Sequence, residues 1–204
     1  MDCKMIITLG RQFGSGGREV GKRLAKALDI PFYDKELLSV AAKESGISEE
    51  LFESNDEKPT NSLLYALAMG NYSSEMPLNH RIFLAQFDAI KKIASEGPCV
   101  IVGRCADYAL RDYANCASVF VHAPLEKRIE RAVTVYNVPE RLAQGTISRT
   151  DRQRANYYNF YTNKKWGNVD NYELAVDSGS VGLDGAVEII KAFALLKQEV
   201  NLID

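Results

Sequence analysis

Short runs of uninterrupted apolar residues alternate along this chain with longer stretches in which apolar residues recur every three or four positions. Met5-Ile6-Ile7-Thr8-Leu9, Cys99-Val100-Ile101-Val102 and Ser118-Val119-Phe120-Val121-His122 are of the first kind. Continuous apolarity over so few residues predicts strands covered on both faces, as in a parallel sheet flanked by helices. Of the second kind are Val20, Leu24, Ala27 and Leu28; the run Leu37, Leu38, Val40, Ala41 and Ala42, ending near Gly46; and Ile82, Phe83, Phe87, Ile90 and Ile93, broken by Gly97-Pro98. A charged helix follows from Leu125 to Val135, and a last one runs from about Leu183 to Leu196. Pro31-Phe32-Tyr33 reads as a short extended piece and the stretch 172–177 as a further strand. Strands alternating with helices through short links predict an α/β three-layer sandwich on a mainly parallel sheet of about five strands.

Between 45 and 77 the pattern lapses. Ile47-Ser48-Glu49-Glu50 opens a short helix, Asn55-Asp56-Glu57-Lys58-Pro59 is a breaker, 62–69 suits a helix and 70–74 a loop. Such a stretch reads as a mobile insertion in a single domain spanning 1–204, and insertions of this kind carry substrate clamps where water must be excluded. A formal net charge of -2 excludes a broad attraction to nucleic acid or to an anionic membrane, so any recognition of phosphate is local. No apolar run approaches the ~20 residues of a membrane span, and a cytoplasmic protein is expected. Cys3, Cys99, Cys105 and Cys116 are scattered and the histidines are His80 and His122. Reduced, buried thiols are expected, with neither a zinc site, a disulfide framework nor a Cys/His catalytic pair.

Chemistry concentrates where the first strand ends. Gly10-Arg11-Gln12-Phe13-Gly14-Ser15-Gly16-Gly17-Arg18-Glu19 joins strand to helix through glycines that let backbone N–H groups converge, with a helix N-terminus behind them, the construction of a phosphate cradle. The match to the Walker pattern G-x-x-x-x-G-K-[ST] is partial. With Gly16 as the second glycine, Gly17 stands at the lysine and Arg18 at the hydroxyl position. Shifted by one, Arg18 takes the lysine place and Glu19 the hydroxyl place. In both frames the cation beside the loop has to be an arginine. Further on, Asp34 is placed as a helix N-cap or as a carboxylate facing a substrate, and Gly103-Arg104 falls at the carboxyl end of an inner strand, the edge where open α/β sheets bind ligands. Arg128 and Arg131 share a helix face, suited either to ion pairs with Glu126 and Glu130 or to a grip on phosphate. Ser148 to Arg154 is basic and is followed by Tyr157, Tyr158, Phe160, Tyr161 and Trp166. Stacking of single-stranded nucleic acid on these rings is disfavoured by the balanced charge, and packing against the domain is the expected role.

The order of these pieces, with Arg-Gln-Phe-Gly-Ser-Gly-Gly-Arg-Glu at 11–19, Pro-Phe-Tyr-Asp-Lys-Glu-Leu at 31–37 and the segment 151–161 as the most specific, resembles the cytidylate kinase-like branch of the nucleoside monophosphate kinases. The resemblance implies a P-loop fold, ATP as donor with Mg²⁺, small-molecule nucleotide substrates, the insertion at 45–77 as acceptor-binding and a lid over 136–168. It implies that Gly14, Ser15, Gly16, Gly17, Arg18 and Glu19 hold the donor phosphates, and that Asp34, Arg104, Asp151 and Arg154 contact the acceptor. It also implies that Arg128 and Arg131 serve the transferred phosphoryl group from the helix leading to the lid. Arg11 or Arg18 stands in for the loop lysine, and Ser15, the only hydroxyl within the loop, is the nearest candidate to touch magnesium. Two departures mark the chain: Lys35 follows the aspartate where cytidylate kinases have serine, and Val40 stands where they have an arginine. The expected function is ATP-dependent phosphoryl transfer to CMP or a similar small phosphorylated acceptor. Its rival is a regulatory nucleotide-binding protein of the same fold with little or no turnover.

Overall fold

The computed structural model describes residues 3–57 and 77–201. Five strands, β1 (Ile6–Arg11), β2 (Phe32–Tyr33), β3 (Cys99–Val102), β4 (Cys116–His122) and β5 (Leu174–Asp177), form one sheet in the order β2-β3-β1-β4-β5. Every pairing is parallel, so the sheet is wholly rather than mainly parallel. The helices are α1 (Gly17–Leu28), α2 (Glu36–Ser45), α3 (Glu49–Asn55), α4 (Leu78–Glu96), α5 (Ala106–Ala109), α6 (Leu125–Thr134), α7 (Glu140–Thr162) and α8 (Ser178–Val200), with a 3-10 turn at Val169–Asn171. The helix expected over 62–69 lies outside the described residues.

The strand alternation sorts side chains into two cores. On one face Ile7 and Leu9 of β1, with Val100, Val102, Val119 and Val121, pack on Val20 and Leu24 of α1 and on Ala186, Ile190 and Ala194 of α8. On the other, Ile6, Cys99 and Ile101 meet Leu37, Leu38 and Ala41 of α2, Phe52 of α3 and Ile90 and Ile93 of α4. Both sides of β1 and β3 are therefore apolar because both are buried, the three-layer arrangement that the continuous runs imply. All four cysteines are reduced and buried. Burial pushes the thiols of Cys99 and Cys116 up to about 12, leaving them unreactive.

α7 is a single 23-residue helix with a different neighbour at each end. Ala143 and Ile147 pack on Ala132 of α6 beside Phe13, while Tyr157 and Tyr158 join Phe83 of α4. Tyr161 stacks on Phe83 with ring centroids 3.9 Å apart. The aromatic run thus serves as packing. α8 is capped by Asp177, whose carboxylate accepts the N–H groups of Gly179 and Ser180, and bends at Gly182, whose φ of 72° and ψ of 174° are not helical. No helix among the described residues is long and apolar enough to cross a membrane.

Candidate active site

The loop after β1 turns through two left-handed glycines, Gly14 at φ 81° and Gly16 at φ 77°, into α1, whose N-cap residue Gly16 offers no side-chain acceptor. A helix start left open in this way suits an anion. The loop is braced from outside. The Asp151 carboxylate, on α7, accepts the Phe13 N–H at 2.7 Å and pairs with Arg128 of α6. Arg128 also donates to the Phe13 carbonyl oxygen at 3.2 Å, and the Ser178 hydroxyl lies 2.6 Å from the Ser15 carbonyl oxygen. Arg131 runs along the loop, its Nε 3.2 Å from where a Cβ on Gly16 would stand. With Gly14, Ser15, Lys127 and Ser178 it lines a cavity of about 230 Å³ between α6 and α8.

A second, larger cleft of about 480 Å³ lies over the carboxyl ends of β1, β2 and β3 and is lined by the loop, Arg11, Arg18, Asp34, Lys35, Arg104, Tyr136 and Arg154. Here the arginines are bound to carboxylates. Arg104 follows Gly103 in a run of three left-handed residues, with φ of 75°, 52° and 56° at Gly103, Arg104 and Cys105. The sharp bend folds its side chain, 1% exposed, back across the strand ends. Its Nη1 donates to the Asp34 carbonyl oxygen at 2.8 Å and lies 3.2 Å from the Asp34 carboxylate. Its other edge, Nε and Nη2, grips both oxygens of Asp56 at 2.9 and 2.7 Å. Glu57 bridges Arg11 at 2.7 Å and Arg154 at 3.1 Å through separate oxygens, and Arg18 reaches Asp34 from the first turn of α1. Non-glycine residues held left-handed cluster at functional sites, and Glu57 is one more, at φ 51°.

Burial raises the carboxyls of Asp34 and Glu57, but the surrounding guanidiniums outweigh it. Arg104, Arg11 and Arg18 hold Asp34 below the usual carboxylate range, and Arg11, Arg154 and Arg104 hold Glu57 well below it. In turn Arg104, which burial alone would lower, is raised by Asp56, Glu57 and Asp34. Arg154 is lowered by burial and by the neighbouring charge of Arg11.

Of the residues singled out from the sequence, Gly14, Gly16, Gly17, Arg11, Arg18, Asp34, Arg104 and Arg154 meet in one cleft. Asp151, Arg128, Arg131 and Ser15 gather around the loop instead. Asp151 braces the loop rather than lining the cleft. The Ser15 hydroxyl donates to the Gln12 carbonyl oxygen at 2.9 Å and accepts the Gly17 N–H at 3.3 Å, so as placed it does not offer itself to a cation. The Glu19 side chain pairs with Arg23 on the exposed flank of α1 and lies outside the cleft. Asp34 is not the cap of α2, since Lys35 holds that position; its carboxylate is committed to Arg104 and Arg18. Among the described residues no group of three His, Cys, Asp or Glu side chains is arranged to hold a metal ion. Asp56 and Glu57, which join the cleft from the breaker after α3, have no sequence signal beyond their charge, because their partners lie up to 97 positions away.

A parallel sheet ordered 2-3-1-4-5, with a glycine loop after β1, arginines at the strand ends and helices on both faces, is a P-loop kinase fold. The model of the cytidylate kinase-like family matches residues 6–180, and the chain belongs to that family. Family and fold together support a phosphotransferase. The chain is similar over 94% of its length, at 30% identity and TM-score 0.71, to 98% of an uncharacterized protein from Eubacterium ventriosum ATCC 27560. A gluconokinase from Sinorhizobium meliloti 1021 shares the fold at 17% identity and TM-score 0.57, over 100% of this chain and 99% of that one. A shikimate kinase from Bacteroides thetaiotaomicron does so at 13% identity and TM-score 0.55, over 93% and 97%. No curated protein matches the sequence.

Proposed function

We propose that the protein transfers the γ-phosphoryl group of ATP to a small phosphorylated acceptor, a nucleoside monophosphate such as CMP or a molecule of similar charge. The observation that carries this reading is the convergence of a glycine cradle and four arginines, Arg11, Arg18, Arg104 and Arg154, on one cleft at the carboxyl edge of the sheet. In such a transfer an acceptor oxygen attacks the γ-phosphorus, the bond to the bridging oxygen breaks and ADP departs. Catalysis rests mostly on aligning the reactants and neutralising charge. The cavity beside Ser178 and Arg131 suits the donor nucleotide, with its phosphates reaching the loop; the cleft beside Arg104 and Arg154 suits the acceptor phosphate. Arg18 is the better placed substitute for the loop lysine. Its side chain is 48% exposed at the cleft, against 11% for Arg11, which is committed to Glu57. Magnesium enters this reading as part of the MgATP substrate, and no residue here is assigned to it.

One observation favours the rival, a nucleotide-binding regulator with little turnover: the loop has neither a lysine nor a hydroxyl turned outward. A coupled ADP-release assay with MgATP over a panel of nucleoside and sugar monophosphates separates the two. The proposal expects acceptor-dependent turnover, with kcat/KM reduced about a hundredfold or more by Arg18→Ala and by Arg104→Lys. Binding of ATP without turnover on any acceptor would establish the regulator instead.

A further inference from the structure

The arginines of the acceptor cleft are already occupied by the chain itself. Arg104 is buried, and its Nη1 is used by Asp34 and by the Val102 carbonyl oxygen. Its remaining edge, the one able to hold two oxygens side by side, is filled by Asp56. Arg11 and Arg154 are bridged by Glu57, one carboxylate oxygen to each guanidinium, as two oxygens of one phosphate can bridge two arginines. A guanidinium edge grips carboxylate and phosphate with the same paired geometry, so two carboxylates of one segment stand where phosphate oxygens are gripped.

The two acids differ from Asp34 in how they are held. Asp34 sits directly after β2, built into the sheet edge. Asp56 and Glu57 follow the seven-residue helix α3, in which Phe52 is the buried residue. Gly103 makes room for the pair of Glu57 with Arg11. A Cβ there would lie 2.1 Å from Arg11 Nη1 and 2.6 Å from Glu57 Oε1. The left-handed backbone at Glu57 is strain that this seat retains. Among the described residues that line the cleft, four guanidiniums face three carboxylates while the segment is in place. With it withdrawn, Asp34 would be the one carboxylate of that lining left opposite them, a deficit that an incoming dianion fills.

We infer that Asp56 and Glu57 are an intrasteric stand-in for the acceptor's anionic group: they keep the arginine cage closed and assembled in the free protein, and a phosphate displaces them on binding. The inference rests on the reading of this cleft as the acceptor site. It makes the end of α3 a competitor that sets acceptor affinity, favouring ligands with at least two negative charges over monoanions of similar shape.

Inorganic phosphate is the probe. In isothermal titration the variant D56N/E57Q is expected to bind phosphate at least tenfold more tightly than the wild type, whereas equal or weaker binding, or no binding by either protein, would overturn the inference. Hydrogen exchange on the unaltered chain decides the matter independently of whether the variant folds. Phosphate should speed exchange at the amides of 49–57, as the segment leaves its seat; unchanged or slower exchange there would mean that the acids are permanent struts. Neither measurement needs ATP or turnover. A protein that passes both and yet releases no ADP with any acceptor would keep this device and lose the kinase reading.

Discussion

At the scale of single residues, the loop depends on what its glycines leave out. A Cβ on Gly14 would stand 2.7 Å from the Arg128 carbonyl oxygen and 2.9 Å from the Arg128 Cβ. These are backbone and near-backbone atoms of a helix and have little freedom to retreat. Gly46, at the end of α2, is also left-handed, at φ 70°, but has nothing within 4 Å of the corresponding point. Gly46→Ala should therefore show the conformational cost alone, about 1–2 kcal/mol. Gly14→Ala should exceed that cost, because Arg128 must shift and its pair with Asp151 loosens. At about 2–4 °C per kcal/mol for a chain of this size, thermal melting should separate the two variants. The same scans with MgATP should show stabilisation by nucleotide retained in Gly46→Ala and lost in Gly14→Ala. Equal melting temperatures would mean that the loop tolerates a side chain and that the contact with Arg128 is not what holds it.

At the scale of elements, α7 couples the two halves of the site. Asp151 and Arg154 are one turn apart on a shared face, the first holding the loop through Phe13 and Arg128, the second holding Glu57 and the Arg11 carbonyl oxygen. Asp151→Asn keeps the shape and removes the charge opposite Arg128, a buried guanidinium whose Nε has no partner among the described residues. Loss of a charge-assisted hydrogen bond costs about 1.5–3 kcal/mol. The urea midpoint should fall accordingly, and the KM for ATP should rise more than the KM for the acceptor. A selective rise in the acceptor's KM would instead place Asp151 at the acceptor, as the family resemblance implied. That α7 is one continuous helix was not legible in the sequence. Ala143, Ile147, Tyr157 and Tyr161 lie on one face, the first two against α6 and the others against α4, but midway that face carries the charged Asp151 and Arg154, turned to the loop and the cleft, so the apolar stripe is interrupted. The strands were legible for the opposite reason: burial on both sides of β1, β3 and β4 leaves short continuous apolar runs that need no knowledge of their neighbours. The cleft falls between these cases. Arg104 and the glycine loop announce themselves by position after a strand, whereas the grip of Asp56 on Arg104 joins residues 48 positions apart and follows from tertiary packing alone.

At the scale of the whole molecule, the cleft ties stability to pH. Asp34 and Glu57 have carboxyl pKa values below their ordinary 3.8 and 4.5, so near those values the unfolded chain binds protons that the folded one refuses. Their contribution to stability is thus complete above about pH 5. It is lost as pH falls through the unfolded and then the folded values. The urea midpoint of the wild type should decline steadily from about pH 5 towards pH 2. Glu57→Gln removes one of the two groups and leaves Arg11 and Arg154 without their shared counter-charge, so it should be less stable than wild type at neutral pH, where loss of a charge-assisted hydrogen bond at a partly buried pair costs about 1.5–3 kcal/mol. In acid the difference should narrow, since the unfolded wild-type chain takes up at Glu57 a proton that the folded one refuses and Gln cannot bind. Two curves that remain parallel from pH 7 to pH 2 would show that Glu57 contributes as a packed side chain rather than as a charge. Convergence would show that its hold on Arg11 and Arg154 is electrostatic, and therefore of the kind another anion in the cleft can replace.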